Sequence, residues 1–406
     1  MKAVVLAAGE GVRMHPLTLT RPKCMLQAAG KPLLCHVLHR LKQAGISDAT
    51  IVVRHHKEQV VDYFTKENLG MELDFVEQDE RKGTAAALLS AKGKIEEDFL
   101  AVAGDVIADP EIYKAVMEAH DGKKTAAFKE VPDPKYFGIA ELKGGKVASL
   151  EEKPENPKGN LANLSIYAFG PSIFQELEGI APSPRGELEL TEVLKGASAV
   201  TTDRFWMDVG YPWHLFDLNG HLLGSMDSKE GTVENSTIKG KLIMEEGAEV
   251  FDSFIEGTAY IGAGTKIGPH SYLRGNNSIG RNCSIGESTT IKNSILFDSV
   301  FAKHLSYIGD SIIGEGVNFG SGTQVANFRF DGKHMNVLTG KGWVNSGRRK
   351  LGVVVGDNTK FGVLSCTMPG KLIGPDCWVG SGVVVARNMP PGSRLFQKQE
   401  FARQGE

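Results

Sequence analysis

Near the amino terminus an apolar run ends in Leu6-Ala7-Ala8-Gly9-Glu10-Gly11-Val12-Arg13-Met14, followed by Pro16-Leu17-Thr18 and Arg21-Pro22-Lys23. Gly9 and Gly11 let backbone amides approach phosphate oxygens without side-chain interference, and Arg13 and Lys23 add positive charge for a triphosphate. A dinucleotide-binding loop begins in the same way, but its third glycine would stand where this chain has Met14. Far downstream, Lys303-His304-Leu305-Ser306-Tyr307-Ile308-Gly309-Asp310-Ser311 puts an imidazole beside a break in a six-residue aliphatic rhythm.

The elements that must position these groups follow two different periods. Residues 1–225 alternate apolar runs (4–8, 50–53, 100–103) with helical patterns (33–43, 58–65), which predicts a parallel sheet covered by helices. In such sheets ligands sit beyond the carboxyl ends of the strands, where the glycine loop lies. A helix is expected over 212–223 as the joint between domains, with Pro212 in its first turn and Gly224 at its end. Thereafter an aliphatic residue returns every sixth position, at Ile261, Ile267, Leu273, Ile279, Ile285 and Ile291. The rhythm resumes at Tyr307, Ile313, Phe319 and Val325, and again from Val355 through Phe361, Thr367, Ile373 and Val379 to Val385. Hexapeptide repeats of this kind specify a parallel β-helix whose interior the aliphatic residues fill. Glycines such as Gly262, Gly280, Gly314 and Gly356 are expected at its corners, where a tight turn resists a side chain. The fold class is therefore an α/β Rossmann-like domain followed by a left-handed parallel β-helix, with an aperiodic excursion over 326–351. The expected boundaries are 1–225, 226–388 and a polar tail, loosely packed or disordered, over 389–406.

Composition narrows the function classes. With 406 residues and 41% hydrophobic content the chain can build two or more cores. The 46 basic and 49 acidic residues leave a net charge of -3, so no global field draws it to nucleic acid or an anionic membrane. No apolar stretch reaches the length of a membrane span, and a cytoplasmic location is expected. Cys24, Cys35, Cys283, Cys366 and Cys377 fit no metal-ligand spacing and are read as reduced structural thiols.

The string from Leu6 to Lys23 resembles the signature of sugar-1-phosphate nucleotidylyltransferases, and further segments match that family in order. Gln78, with Lys82-Gly83-Thr84-Ala85, resembles the segment that reads the pyrimidine edge of UTP or dTTP; its bland reading is a helix start at Thr84. The resemblance implies Mg²⁺ on Asp105 of Ala103-Gly104-Asp105 and on Asp208 of Trp206-Met207-Asp208-Val209-Gly210. It implies sugar contacts from Gly138 of Tyr136-Phe137-Gly138, from Glu152, and from Asn163. Two residues beyond Asn163 the family pattern has glycine, and this chain has Ser165. The implied reaction is attack by a sugar-1-phosphate oxygen on the α-phosphorus of the triphosphate. It needs charge neutralisation and in-line positioning, with no covalent enzyme intermediate.

Lys303 to Ser311 is similar to the catalytic segment of bifunctional N-acetylglucosamine-1-phosphate uridylyltransferase/glucosamine-1-phosphate acetyltransferases. That resemblance makes His304 the general base toward the sugar amine, with acetyl-CoA as co-substrate. Asn327-Phe328-Arg329-Phe330-Asp331-Gly332-Lys333 resembles the family's Asn-Tyr-Asp-Gly loop, lengthened as in its archaeal branch. Asn327 would orient the amine or the acetyl carbonyl, Tyr307 would line the phosphate pocket, and Lys333, joined by Lys292, would neutralise the phosphate. Arg348-Arg349-Lys350 would meet coenzyme A phosphates or form a solvated corner. A homotrimer is expected, since such prisms usually trimerise and bind acyl carriers between subunits. The alternative is a glucose-1-phosphate thymidylyl- or uridylyltransferase whose β-helix only assembles. A non-enzymatic sugar-nucleotide sensor would have lost Asp105 and Asp208, and both are present.

Overall fold

In the computed structural model, which describes residues 1–228 and 231–399, the chain separates into two compact units that interleave in sequence. The first comprises Met1–Glu10, Arg21–Met25 and Pro32–Asp208; the second comprises Gly11–Thr20, Leu26–Lys31 and the chain from Val209 onward. The units thus divide at Asp208/Val209 rather than at residue 225, and two short segments of the glycine-loop region cluster with the second unit.

One nine-stranded sheet organises the first unit, in the order Glu72–Glu77, Asp48–Val53, Lys2–Leu6, Phe99–Ala103, Leu161–Phe169, Lys124–Glu130, Ser198–Thr201, Lys146–Glu152, Gly138–Lys143. The first four strands are parallel, as the alternation of apolar runs and helices predicts. Leu161–Phe169 runs antiparallel to both of its main neighbours, so the sheet as a whole is mixed. The cause is partly local. Gly144 and Gly145 both adopt positive φ and close a two-residue hairpin between Gly138–Lys143 and Lys146–Glu152, a turn signal that the expectation of a parallel sheet left unused. Helix Leu33–Gln43 forms as expected and buries Leu34, Val37, Leu38 and Leu41 along one stripe, with Arg40 and Lys42 in its last turn.

In the second unit short parallel strands stack coil upon coil. One column of interior residues runs Val250, Ile267, Ile285, Ala302, and a second runs Leu273, Ile291, Ile308, Val325, Thr367, Val385. A third runs Ile261, Ile279, Leu296, Ile313, Val355, Ile373. These side chains are buried, and each Val, Leu or Ile among them contributes about 1.5–3 kcal/mol of transfer free energy to one continuous core.

Two readings of the repeat need correction. Tyr307 is not an interior residue: the step from Ile291 to Ile308 is one residue shorter than that from Leu273 to Ile291, so Ile308 takes the column and Tyr307 is released to the outside. The corner glycines are also required for a different reason. A Cβ on Gly262 would lie 2.6 Å from the backbone of Gly280, and one on Gly356 would lie 2.5 Å from Pro375, so it is the next coil that excludes a side chain.

The excursion leaves after Val325 and contains an antiparallel hairpin, Asn336–Thr339 with Gly342–Asn345. The columns resume beyond it, with Phe361 stacked on Phe319 at 4.8 Å between ring centroids. Coiling continues past the expected limit of 388, because Arg394–Leu395 pairs in parallel with Trp378–Val379. The rest of the expected tail, residues 400–406, lies outside the described residues. Helix His214–Ser225 begins after Pro212, and Gly224 lies inside it. All five cysteines are free, and burial pushes the thiols of Cys24 and Cys283 up to about 12, which keeps them protonated and inert. Among the described residues no helix is long and apolar enough to cross a membrane.

Candidate active sites

Three of the expected residues of the first unit meet at the carboxyl end of its parallel strands. Asp105 follows strand Phe99–Ala103, while Asp208 ends strand Trp206–Asp208, which pairs antiparallel with Val106–Ala108 so that Asp208 faces Val106. This ribbon delivers two carboxylates that are a hundred positions apart to one place. The Lys23 ammonium binds Asp105 and lies 3.8 Å from Asp208, with only 12% of its side chain exposed. Gly104 makes the approach possible, since a Cβ there would press within 3.2 Å of Ala7 and the Leu6 carbonyl. Gly9 leaves the adjacent parallel strand. Two carboxylates suit a hard cation that keeps most of its shell for phosphate and water. Among the described residues no cluster of three or more His, Cys, Asp or Glu forms a complete protein cage for a metal.

Around this centre the other expected contacts fall into two groups. The buried Gln78 donates its side-chain amide to the Arg81 carbonyl at 2.7 Å and so shapes the turn leading to Gly83. Gly83 has φ 111° and backs onto Leu188, where a Cβ would clash with the backbone at 2.3 Å. Thr84 opens helix Thr84–Ser90, and its hydroxyl accepts from the Leu190 amide. The second group holds Gly138, Glu152 and Asn163 together: Gly138 pairs with Glu152, and a Cβ on Gly138 would lie 2.9 Å from the Glu152 carboxylate and 3.7 Å from Asn163. Asn163 donates to the Tyr167 hydroxyl at 2.7 Å. Burial pushes that phenol up to about 12. Ser165 has φ 56°, in an irregularity between Asn163 and Tyr167, a left-handed conformation that glycine would adopt without steric cost.

Sequence reasoning missed Arg185, which lies 3.6 Å from Glu152 and 2.6 Å from Glu189; its loop carries no motif that could have found it. Gly11 and Arg13 belong to the segment that clusters with the second unit. There the Arg13 guanidinium lies over the Tyr211 ring at 5.6 Å, and the Thr18 hydroxyl donates to the Gly11 carbonyl.

On the prism, release of Tyr307 to the outside builds a polar cluster. The Asn327 side-chain amide donates to the Tyr307 hydroxyl at 3.1 Å and to Asp310 at 2.5 Å, while Lys292 pairs with the same Asp310 oxygen at 2.9 Å. His304 is half exposed on the corner before Leu305, with Nδ1 3.0 Å from the Glu287 carboxylate. Lys333 lies in the excursion and lines a cavity of about 450 Å³ with Arg329, His334, Asn336, Asn345 and Arg349. Of the basic triplet, Arg348 is committed to Asp217 at 2.5 Å and to the Phe216 ring, and Arg349 bonds the Gly332 carbonyl.

Comparison with known proteins bears on both units. The Nucleotidyl transferase family profile matches residues 2–224, and the GMPPB C-terminal domain profile matches residues 254–360. "Bifunctional protein GlmU" of Methanocaldococcus jannaschii is 38% identical over 99% of this chain and 98% of its own length. The chain belongs to the bifunctional sugar-1-phosphate nucleotidylyltransferase/acetyltransferase family. A second member, the "Bifunctional sugar-1-phosphate nucleotidylyltransferase/acetyltransferase" of Sulfurisphaera tokodaii, is also 38% identical, over 97% of this chain and 99% of its own. A crystal structure described as a glucose-1-phosphate thymidylyltransferase from Bacillus anthracis, with sucrose, is 26% identical. It covers 57% of this chain and 98% of its own at a TM-score of 0.50. This bifunctional transferase is thus an enzyme with a nucleotidyltransferase unit and an acetyltransferase unit, and its likeness to the bifunctional relatives runs through the prism as well as the sheet. The reading in which the prism only assembles has less support.

Proposed function

We propose that the prism acetylates glucosamine-1-phosphate with acetyl-CoA and that the first unit joins UTP to the resulting N-acetylglucosamine-1-phosphate, giving UDP-N-acetylglucosamine and pyrophosphate. The observation that carries the acetyl half is the Lys292–Asp310–Asn327–Tyr307 cluster on the outside of the prism. A β-helix serving assembly alone has no use for a buried carboxylate there. For nucleotidyl transfer Lys23 of the first unit neutralises triphosphate charge, Gly9 admits the phosphates to a backbone amide, and Gln78, Gly83 and Thr84 hold the base; Arg13 and Gly11, which cluster with the second unit, keep the charge-neutralising and phosphate-admitting roles that the family resemblance implies for them. Gly138, Glu152 and Asn163 hold the sugar. Asp105 and Asp208 would hold Mg²⁺, which when bound supplies charge neutralisation at the phosphates. In the second half the amine nitrogen attacks the thioester carbon, His304 takes the amine proton, the carbon–sulfur bond breaks, and the departing coenzyme A thiolate takes up that proton to leave as the thiol. Tyr307 and Lys333 hold the sugar phosphate, and Asn327 sits at the reacting groups.

Assay of the purified protein against glucosamine-, galactosamine- and glucose-1-phosphate, with and without acetyl-CoA, tests this reading. Thiol release only with an amino-sugar phosphate is expected. Pyrophosphate release with glucose-1-phosphate and dTTP, and no thiol from any substrate, favours the alternative.

We also infer a cytoplasmic homotrimer. Leu305, which follows His304, and Leu364 are 61% and 70% exposed at left-handed corners of the coils, and Val384 is exposed as well. Covering such residues is what a threefold contact offers. Sedimentation is expected to give a trimer at assay concentration. A stable monomer with full acetyl transfer would contradict a site shared between subunits.

A further inference from the structure

Asp310 is the group on the prism that the reaction as described leaves without a task. Its side chain is only 8% exposed and receives three donors: Lys292 at 2.9 Å and Asn327 at 2.5 Å on one oxygen, and Asn293 at 3.2 Å on the other. The backbone there has φ 49°, and the equivalent corner one coil earlier, Asn293, has φ 51°. Asparagine or glycine would therefore serve the turn equally well, and neither would bring a charge into a buried place. The space is also reserved. A Cβ on Gly309 would lie 2.5 Å from the Tyr307 hydroxyl and 2.6 Å from the Asn327 amide nitrogen, so a side chain there would displace the cluster.

An ionised carboxylate only accepts hydrogen bonds, so the group that Asn327 turns toward Asp310 has to be its NH2. The same NH2 faces Tyr307. The amide is planar with its oxygen and nitrogen on opposite sides, so Oδ1 of Asn327 is turned away from both partners. We infer that Asp310 is a positioning residue of the acetyltransferase site: by fixing the Asn327 amide it makes Asn327 an acceptor toward the substrate amine rather than a donor toward the acetyl carbonyl. An acceptor beside the amine orients its lone pair toward the thioester carbon, which is a transition-state demand more than a binding one. This inference rests on the acetyltransferase reading above.

The experiment uses the full-length protein with glucosamine-1-phosphate and acetyl-CoA and follows thiol release, with pyrophosphate release from UTP and N-acetylglucosamine-1-phosphate as the internal control of folding. Asp310→Asn keeps the shape and suits the left-handed turn, but lets the Asn327 amide rotate. Its kcat for acetyl transfer is expected to fall about ten- to a hundredfold. Its KM for the amino-sugar phosphate should hold or decrease, because removing a negative charge beside a phosphate site does not weaken anion binding. Asn327→Asp alone sets two carboxylates against each other and should lose at least as much. The double variant Asp310→Asn with Asn327→Asp restores a donor–acceptor pair and still offers an oxygen to the amine, so it should recover to within about tenfold of the wild type. Wild-type kcat in Asp310→Asn would overturn the inference, as would a double variant no better than Asn327→Asp, since a carboxylate at 327 cannot donate. Absence of thiol release from the wild type with every amino-sugar phosphate would overturn the acetyltransferase reading itself, and this inference with it.

Discussion

Asp208→Asn is expected to slow pyrophosphate release from UTP and N-acetylglucosamine-1-phosphate roughly a hundredfold, corresponding to about 3 kcal/mol of lost transition-state stabilisation. Asp208 and Asp105 converge on the Lys23 ammonium at the carboxyl end of the parallel strands, and among the described residues no third carboxylate, histidine or cysteine completes a set of metal ligands. If Asp105 and Asp208 hold Mg²⁺ as proposed, neutralising one of the two carboxylates weakens that hold just where two anions must be brought together. The deficit should be largest at low Mg²⁺ and should shrink, without vanishing, as the cation is raised. Acetyl transfer should be unchanged, since Asp208 has no part in it. Initial rates of pyrophosphate release across a Mg²⁺ titration check the point. Turnover equal to the wild type throughout would remove Asp208 from the mechanism.

His304→Ala should have the complementary effect. Loss of a general base is expected to lower acetyl transfer on the order of a hundred- to ten-thousandfold. Uridylylation of N-acetylglucosamine-1-phosphate should stay near the wild-type rate, because His304 lies on the prism and Lys23, Asp105 and Asp208, proposed for nucleotidyl transfer, lie in the first unit. The substitution has little to disturb in the fold: the side chain is half exposed and contacts the exposed Glu287, and the His304 carbonyl keeps its bond from the Gly322 amide. Thiol release from acetyl-CoA is the direct readout. A variant that still releases thiol at the wild-type rate would make His304 structural.

How far the sequence discloses such a molecule depends on the range of the interactions involved. The hexapeptide columns were legible because each interior residue obeys the same local rule, and Ile261 through Ile291 occupy the interior as the period demands. Tyr307 escaped that rule because a coil can shorten by one residue at a corner without any change in composition, and only the pairing of Ile291 with Ile308 reveals it. The same slip creates the polar cluster, since an interior Tyr307 could not meet Asn327. Asp310 stood in plain view in the motif from Lys303 to Ser311, yet its partners Lys292 and Asn327 lie one coil before and one coil after. That adjacency exists only once the coil length is known. In the first unit Asp105 and Lys23 were findable from strand ends and glycine turns, whereas Arg185 owes its position beside Glu152 to a loop with no recognisable pattern. The clustering of Gly11–Thr20 with the second unit was equally hidden. Its hydrogen bond from Thr20 to Asp357, at 2.6 Å, joins residues with no sequence relation to each other.

Whether one chain performs two successive reactions is tested most directly by a two-channel time course. Wild-type protein is given glucosamine-1-phosphate, UTP and Mg²⁺, with acetyl-CoA added or withheld, while thiol and pyrophosphate are followed together. Thiol release is expected first and pyrophosphate after a lag, with pyrophosphate strongly dependent on acetyl-CoA. Pyrophosphate appearing at full rate without acetyl-CoA, and no thiol when it is present, would contradict two successive reactions on one chain.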